Sequence, residues 1–223
     1  MKLIFLGPPG SGKGTYSSRI CDQRGWAHIS TGDLLRENVK NQTKAGLRAK
    51  KYMDRGELVP DDIVIRMLEQ RLKEKDCKEG FILDGFPRTI AQAESLDKIT
   101  SIDLVINLKM PDEVIVDKIL ARRTCGNCGD IYNVADIWFG PKRKYHMPPV
   151  NPKVPGRCDR CGGKLVSRSD ETREVIQNRL DVYSRQTEPL IKYYANRGLI
   201  RDIDVTGPPQ VMIPRILEVI ENG

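Results

Sequence analysis

The chain has 223 residues, 39% hydrophobic and 30% charged, with a formal net charge of +7 at pH 7. That length supports one substantial core with small appended modules, and no apolar stretch approaches the roughly 18 residues of a membrane-spanning helix, so a helical membrane protein is excluded. The basic excess implies an anionic partner, nucleotide or nucleic acid, although a solvated lysine-rich surface gives the same balance.

The first predicted strand, Lys2–Leu6, starts at once and without a leader, so a cytoplasmic location is expected. It runs into Gly7-Pro8-Pro9-Gly10-Ser11-Gly12-Lys13-Gly14-Thr15. A buried strand feeding a glycine-rich turn closed by lysine is the pattern of a phosphate-binding loop. Glycines let successive N–H groups turn toward one anion, and the following helix adds its positive end. Lys13 supplies a point charge for the β- and γ-phosphates. The residue after it is Gly14, with the hydroxyl delayed to Thr15, whereas switch-type and motor nucleotidases place Ser or Thr directly after the lysine.

Further strands are predicted over residues 26–30, 81–84, 104–108 and 199–204. Helices between them begin after the glycine loop and near Thr31, Lys44, Asp61, Thr89, Pro111 and Asp170. Pro111 suits a first helical turn, and Asp112 and Glu113 follow where the helix dipole favours acids. Val114, Ile115, Ile119 and Leu120 then recur on one face as a core stripe. A last helix begins near Pro208 or Pro209 and carries Ile213, Ile216, Leu217 and Ile220. This alternation predicts an α/β core.

One segment breaks the pattern. From Cys125 to about Val166 the chain is rich in Gly, Pro and basic residues, with little periodicity. Such an insert is functional, disordered or stapled. Cys125-x2-Cys128 and Cys158-x2-Cys161 form two knuckles separated by 29 residues, which together complete a tetrahedral four-sulfur site. A reducing compartment disfavours disulfides; zinc comes first, and four sulfurs also suit iron. With four protein ligands the site is closed, hence structural. His146 lies between the knuckles as an alternative ligand that four cysteines make unnecessary. Cys21 and Cys77 stand alone and read as packed thiols. Lys142-Arg143-Lys144-Tyr145, also between the knuckles, supports a second reading as a nucleic-acid-binding zinc ribbon.

Three more motifs decide between these. Ser30-Thr31-Gly32-Asp33-Leu34-Leu35-Arg36 follows the second strand, and Gly56-Glu57-Leu58-Val59-Pro60-Asp61 comes next. Asp84-Gly85-Phe86-Pro87-Arg88-Thr89 follows the third strand, with Gln92 one helical turn on. Asp84 ends a strand beside the glycine loop, where an acid can order Mg2+ through its waters. Arg36 and Arg88 suit bidentate contact with phosphate. Gln92 can both donate to and accept from a base edge, and Thr31 offers a hydroxyl contact or a helix N-cap. Together with the glycine loop, in this order and spacing, these motifs resemble adenylate kinase over nearly the whole chain. The likeness is to the long form whose lid carries a metal knuckle.

The resemblance implies the P-loop nucleoside monophosphate kinase fold: a five-stranded parallel sheet flanked by helices, with two mobile modules. Residues 1–29, 61–122 and 168–223 would form the core, 30–60 the AMP-binding module and 123–167 the metal-binding lid. It implies reversible, Mg2+-dependent phosphoryl transfer from ATP to AMP, giving two ADP, with structural Zn2+ in the lid. Gly10, Ser11, Gly12, Lys13, Gly14 and Thr15 would hold ATP, helped by Lys118, Arg122, Ile131 and Tyr132. Thr31, Arg36, Glu57, Leu58 and Val59 would hold AMP from one side. Gly85, Phe86, Pro87, Arg88, Gln92, Arg168 and Arg179 complete that site. Lys13, Asp84, Arg88, Arg122, Arg168 and Arg179 carry the catalytic roles, and no general base is required. The implied partners are ATP, AMP and ADP, with no membrane or nucleic acid, and the implied state is a monomer.

Three departures stand out. Lys118 occupies the place of an arginine that packs on the donor base, which opens the donor site to GTP and other triphosphates. Asp170-Glu171 replaces a pair of aspartates. The insert is longer than usual over about 134–155. Trp138, Phe139, Tyr145 and Met147 there form either a self-association surface or a cluster packed within the lid. Two alternatives remain at this point: a kinase for another nucleoside monophosphate, and a P-loop protein with a nucleic-acid-binding ribbon.

Overall fold

The computed structural model describes residues 1–223. β1 (Lys2–Leu6) leads through the glycine loop into α1 (Lys13–Arg24) and β2 (Ala27–Ser30). Then come α2 (Thr31–Lys40), α3 (Lys44–Met53), α4 (Asp61–Leu72), β3 (Phe81–Asp84), α5 (Ile90–Ile99), β4 (Leu104–Lys109) and α6 (Asp112–Leu120). The insert contributes β5 (Arg122–Cys125), β6 (Ile131–Asn133), β7 (Ile137–Phe139), β8 (Tyr145–Met147) and β9 (Leu165–Val166). The chain closes with α7 (Arg173–Val182), α8 (Pro189–Ala195), β10 (Ile200–Asp204) and α9 (Pro209–Asn222).

Five strands form one parallel sheet in the order β10-β4-β1-β3-β2. Their side chains alternate between two apolar layers, as strand geometry requires. Leu3, Phe5, Ile82, Leu104 and Ile106 face one layer, completed by residues of α1, α6, α7 and α9. Ile4, Leu6, Ile29, Leu83 and Val105 face the other, built with α4, α5 and α8. Each of these fully buried aliphatic side chains contributes about 1.5–3 kcal/mol. A sheet covered on both faces explains why its strands read as nearly unbroken apolar runs.

Local chemistry sets the helix ends. Ser30, Thr43, Thr89 and Thr172 each accept a hydrogen bond from the N–H three residues on. Ser30, rather than Thr31, is thus the cap of α2, which leaves the Thr31 hydroxyl to donate to Gly85 O at 2.8 Å. The helix expected near Asp170 begins at Arg173, and Pro111 caps α6 instead of lying within it. A π-helical turn, Tyr183–Thr187, ends α7, and Pro189, which has no N–H to donate, opens α8. That break was not apparent in the apolar spacing.

The insert is more ordered than its composition suggests. β5 pairs antiparallel with both β6 and β9, and β7 pairs with β8. Ile137, Phe139 and Met147 turn inward and join the core layer that contains Val114, Ile115 and Ile119 of α6. Trp138 points outward, half exposed, stacked on His146 with ring centroids 3.8 Å apart. So Ile137, Phe139 and Met147 pack on the main body, and Trp138 is the aromatic left at the surface.

At the α2–α3 corner there is no room for a side chain. A Cβ on Gly46 would lie 2.1 Å from Asn38 O and 2.6 Å from Val39 N. Gly46→Ala is expected to lower stability by about 1–3 kcal/mol. Urea unfolding would register this as a lower midpoint at an unchanged slope.

Candidate active site at the carboxyl ends of the strands

β1 lies between β3 and β4, and its register sets Phe5 opposite Asp84, which in turn pairs with Ser30. The glycine loop, Asp84 and the start of α2 therefore meet at one edge of the sheet, where the strand order reverses and ligands bind in open α/β folds. Gly12 caps α1 with φ near 103°, a left-handed conformation that glycine adopts without strain. Lys13 Nζ donates to Gly7 O at 2.6 Å and Pro8 O at 2.8 Å. Burial pushes Lys13 down to about 7, opposed by the charge of Asp84. Burial pushes Asp84 upward in turn, but His28 and Lys13 outweigh it and hold the carboxyl below its usual range.

His28 is a residue the sequence reading missed. Its Nε2 lies 3.8 Å from Asp84 Oδ2 and 2.9 Å from Ser17 Oγ. It sits two residues before Ser30 on β2, and only the pairing of β2 with β3 brings it to Asp84. Gly14 also touches this group, since a Cβ there would lie 3.1 Å from Asp84 Oδ2. The absence of a side chain after the lysine thus has a steric reason, namely room for the carboxylate.

Arginines converge on the same place. Arg122 Nε donates to Glu171 Oε1 at 2.8 Å, and Nη2 reaches the same oxygen. Arg168 lies 3.9 Å from both Glu171 and Asp33, Arg36 pairs with Asp33, and Arg179 Nη1 is 3.5 Å from Asp170. Arg88 Nε donates to Gly85 O at 2.8 Å. Burial, then repulsion from neighbouring arginines, pushes Arg168 down to about 9. Burial likewise takes Arg179 down to about 10, against the pull of Asp170. Asp33, Asp170 and Glu171 were not among the predicted site residues. The signal available was Asp170-Glu171 ahead of a helix, which reads locally as a charged N-terminus. Cations still outnumber carboxylates here, which suits a polyanion.

Two cavities open onto this cluster. The larger, about 860 Å³, is lined by Gly10, Gly12, Lys13, Gly14 and Thr15, and beyond them by Lys118, Arg122, Ile131 and Tyr132. Ser11 is wholly buried instead, with its Oγ unpartnered. The smaller, about 60 Å³, is lined by Thr31, Arg36, Glu57, Leu58 and Val59, and across from them by Gly85, Arg88, Gln92 and Arg179. Pro87 and Arg168 line the larger cavity, while Phe86 packs into the core. Gln92 is fixed at both ends: its Nε2 donates to Asp61 Oδ1 at 2.6 Å, and its Oε1 accepts from Arg88 N at 2.7 Å. Burial pushes Lys118 down to about 8.

The four lid cysteines also come together. Their sulfurs lie within 4.8 Å of one another, with Cys125–Cys161 at 3.5 Å and Cys128–Cys158 at 3.6 Å. A tetrahedral metal with sulfur ligands at about 2.3 Å needs sulfurs about 3.8 Å apart, so the set fits. Tyr132 donates from its hydroxyl to Cys158 Sγ at 3.7 Å and accepts from Asp159 N at 2.7 Å. His146 is engaged elsewhere, 2.5 Å from Asp136 Oδ1.

Comparison with known proteins agrees with this geometry. The family model described as adenylate kinase matches residues 5–199. A Carboxydothermus hydrogenoformans adenylate kinase is 51% identical over 92% of each chain. Adenylate kinases of Thermodesulfovibrio yellowstonii and Archaeoglobus fulgidus are 47% and 48% identical over all of this chain, covering 100% and 99% of theirs.

Gly14→Ala is expected to push the Asp84 carboxylate aside by about a few tenths of an ångström and to lower kcat severalfold, since even small displacements in a positioned site carry a rate cost. Circular dichroism should show the fold retained, and wild-type turnover in this variant would refute the steric role.

Proposed function

The chain belongs to the adenylate kinase family, an ATP:AMP phosphotransferase, and on that footing we infer which of its residues transfer the phosphoryl group. The nucleic-acid-ribbon alternative is not favoured. One observation carries the assignment: Lys13 and five partly buried arginines, Arg36, Arg88, Arg122, Arg168 and Arg179, come from separate stretches of the chain to line the two cavities. Loop N–H groups of residues 10–15 and Lys13 receive the donor phosphates. Arg36 and Arg88 hold the acceptor phosphate in the smaller cavity, with Thr31, residues 57–59, Gly85 and Gln92 around its nucleoside. Arg122, Arg168 and Arg179 close on the group in transfer. In-line placement and charge neutralisation do most of the work in such reactions, so no general base is assigned.

Adenylate kinases act on the magnesium complex of the nucleotide, whose cation neutralises phosphate charge. Asp84, kept ionised beside Lys13, would hold that cation through water. Four thiols with tetrahedral spacing would hold zinc, which keeps a small lid folded. We assign residues 30–60 to acceptor binding and 123–167 to the lid that excludes water, the competing acceptor. Lys118, a flexible ammonium, discriminates donor bases less than a stacked guanidinium, so GTP is a further donor. The proposed state is a cytoplasmic monomer. No helix is long and apolar enough to cross a membrane.

ADP formation from Mg·ATP, with AMP, GMP, CMP and UMP offered separately, tests the reading. Turnover with AMP alone is expected, and silence with every acceptor from folded, metal-loaded protein would overturn it. Repeating the assay with GTP in place of ATP reads the donor range.

Metal analysis should find about one zinc per chain for a closed four-cysteine site. Chelation is expected to expose the cysteine-bearing stretches, about 123–132 and 151–167, to protease while the sheet persists. A lid equally resistant after metal removal would refute the structural role.

A further inference from the structure

Part of the insert lines the large cavity that also holds the glycine loop and Lys118. Resting on the phosphotransfer reading above, we propose that residues 133–150 form a fixed wall of the donor-base subsite, with Ile137, Met147 and Pro148 seating the base. Ile137 and Met147 come from the inner face of the β7–β8 hairpin, 9% and 6% exposed, and share an apolar cluster with Val114, Ile115 and Ile119 of α6. Polar ties reinforce this docking. Asn133 Nδ2 donates to Lys118 O at 2.7 Å, and Val134 N donates to Ala121 O at 3.0 Å, both at the end of α6. Asn133 and Val150 exchange backbone hydrogen bonds of 2.7 and 3.2 Å, which closes the segment on itself.

Ile137, Met147 and Pro148 also line the large cavity, together with Gly10, Lys118 and Pro208. The cavity is therefore divided by chemistry. Lys13 and the arginines mark the phosphate end, whereas this stretch offers aliphatic, thioether and proline surface with a single ammonium. Such a surface accepts the faces of a flat heteroaromatic ring and does not read its hydrogen-bonding edge. The ligand class is the base of a nucleoside triphosphate, recognised by shape, so adenine and guanine are held alike. A segment bonded to α6 in this way stays with the core, and the base subsite is formed before any movement of the cysteine knuckle.

Steady-state kinetics of Met147→Ala test the wall, with Trp138→Ala, on the outer face of the same hairpin, as control. Met147→Ala is expected to raise KM for Mg·ATP about tenfold, the scale of losing several methylene-sized contacts in an apolar pocket. KM for Mg·GTP should rise in parallel, and KM for AMP should stay at its wild-type value. Met147→Leu should restore the donor KM, and Trp138→Ala should leave every constant unchanged. An unchanged donor KM in Met147→Ala would overturn the proposal, as would parallel rises in the ATP and AMP values, which indicate general loosening. Should Met147→Ala not fold, Pro148→Ala at the half-buried rim is read by the same criteria. Failure of the wild-type chain to phosphorylate AMP would instead sink the functional reading itself.

Discussion

The structure depends on holding like charges together out of water. Lys13, Arg88, Arg168 and Arg179 are partly buried near one another, and desolvation lowers the proton affinity of each. Taking one ion out of water carries a penalty of several kcal/mol, and a buried charge stripped of its partner costs about 3–5 kcal/mol. The fold answers with carboxylates placed as carefully as the cations. Glu171, with a side chain only 3% exposed, accepts from Arg122 and lies near Arg168. Asp170 holds Arg179, and Asp33 lies between Arg36 and Arg168. These acids only partly neutralise the cluster. A fully paired cluster would be more stable and would have little left to offer a phosphate, so under the proposed function the residual positive charge is what would attract the nucleotide phosphates.

Backbone geometry brings those charges to one point. The parallel register sets Asp84 beside Phe5 on one side and Ser30 on the other. Residues just beyond three strand ends, the glycine loop, Thr31 and Gly85, thereby fall within reach of one another, and the Thr31–Gly85 hydrogen bond ties two of them. Gln92 adds a second tie, bonded to Asp61 at one end and to the Arg88 backbone at the other. Its orientation is settled by the protein, so what it presents to a ligand is already fixed. Pre-arranged donors of this kind need little reorganisation when charge moves, which is where positioned electrostatics gains over water.

Much of this was legible in the sequence, for identifiable reasons. Strands buried on both faces announce themselves as short apolar runs, and all five of the parallel sheet were found to within a residue at each end. The loop of residues 7–15 and the paired cysteines are contiguous, with spacing set by local geometry. What escaped depends on pairing across long separations. His28 reaches Asp84 only through strand pairing, and Glu171 reaches Arg122 across 49 positions. Neither contact leaves a periodic trace. The β7–β8 hairpin was hidden for another reason. Its strands have three residues each, too short for alternation to show, and the core they join belongs to α6.

The insert then poses a problem of size. Its own apolar cluster consists of Cys125, Tyr132 and Cys158, far too little to order a segment of its length. The two ends of the insert solve this differently. Around the cysteines, four sulfurs at metal-binding spacing can replace the missing core with a cross-link, and Tyr132 joins them to β6 through its hydroxyl. In the hairpin, Ile137, Phe139 and Met147 use the main body's core instead. Under the proposal that the hairpin walls the donor-base subsite, this division would suit a bound triphosphate. Its phosphate end needs charged groups that can close over it and release it, which a self-contained, cross-linked knuckle can do without unfolding. Its base end needs an apolar surface already in place, because a wall that must be ordered on binding would subtract that ordering entropy from the affinity. Docking one half of the insert on α6 and cross-linking the other separates the two demands within a single chain segment.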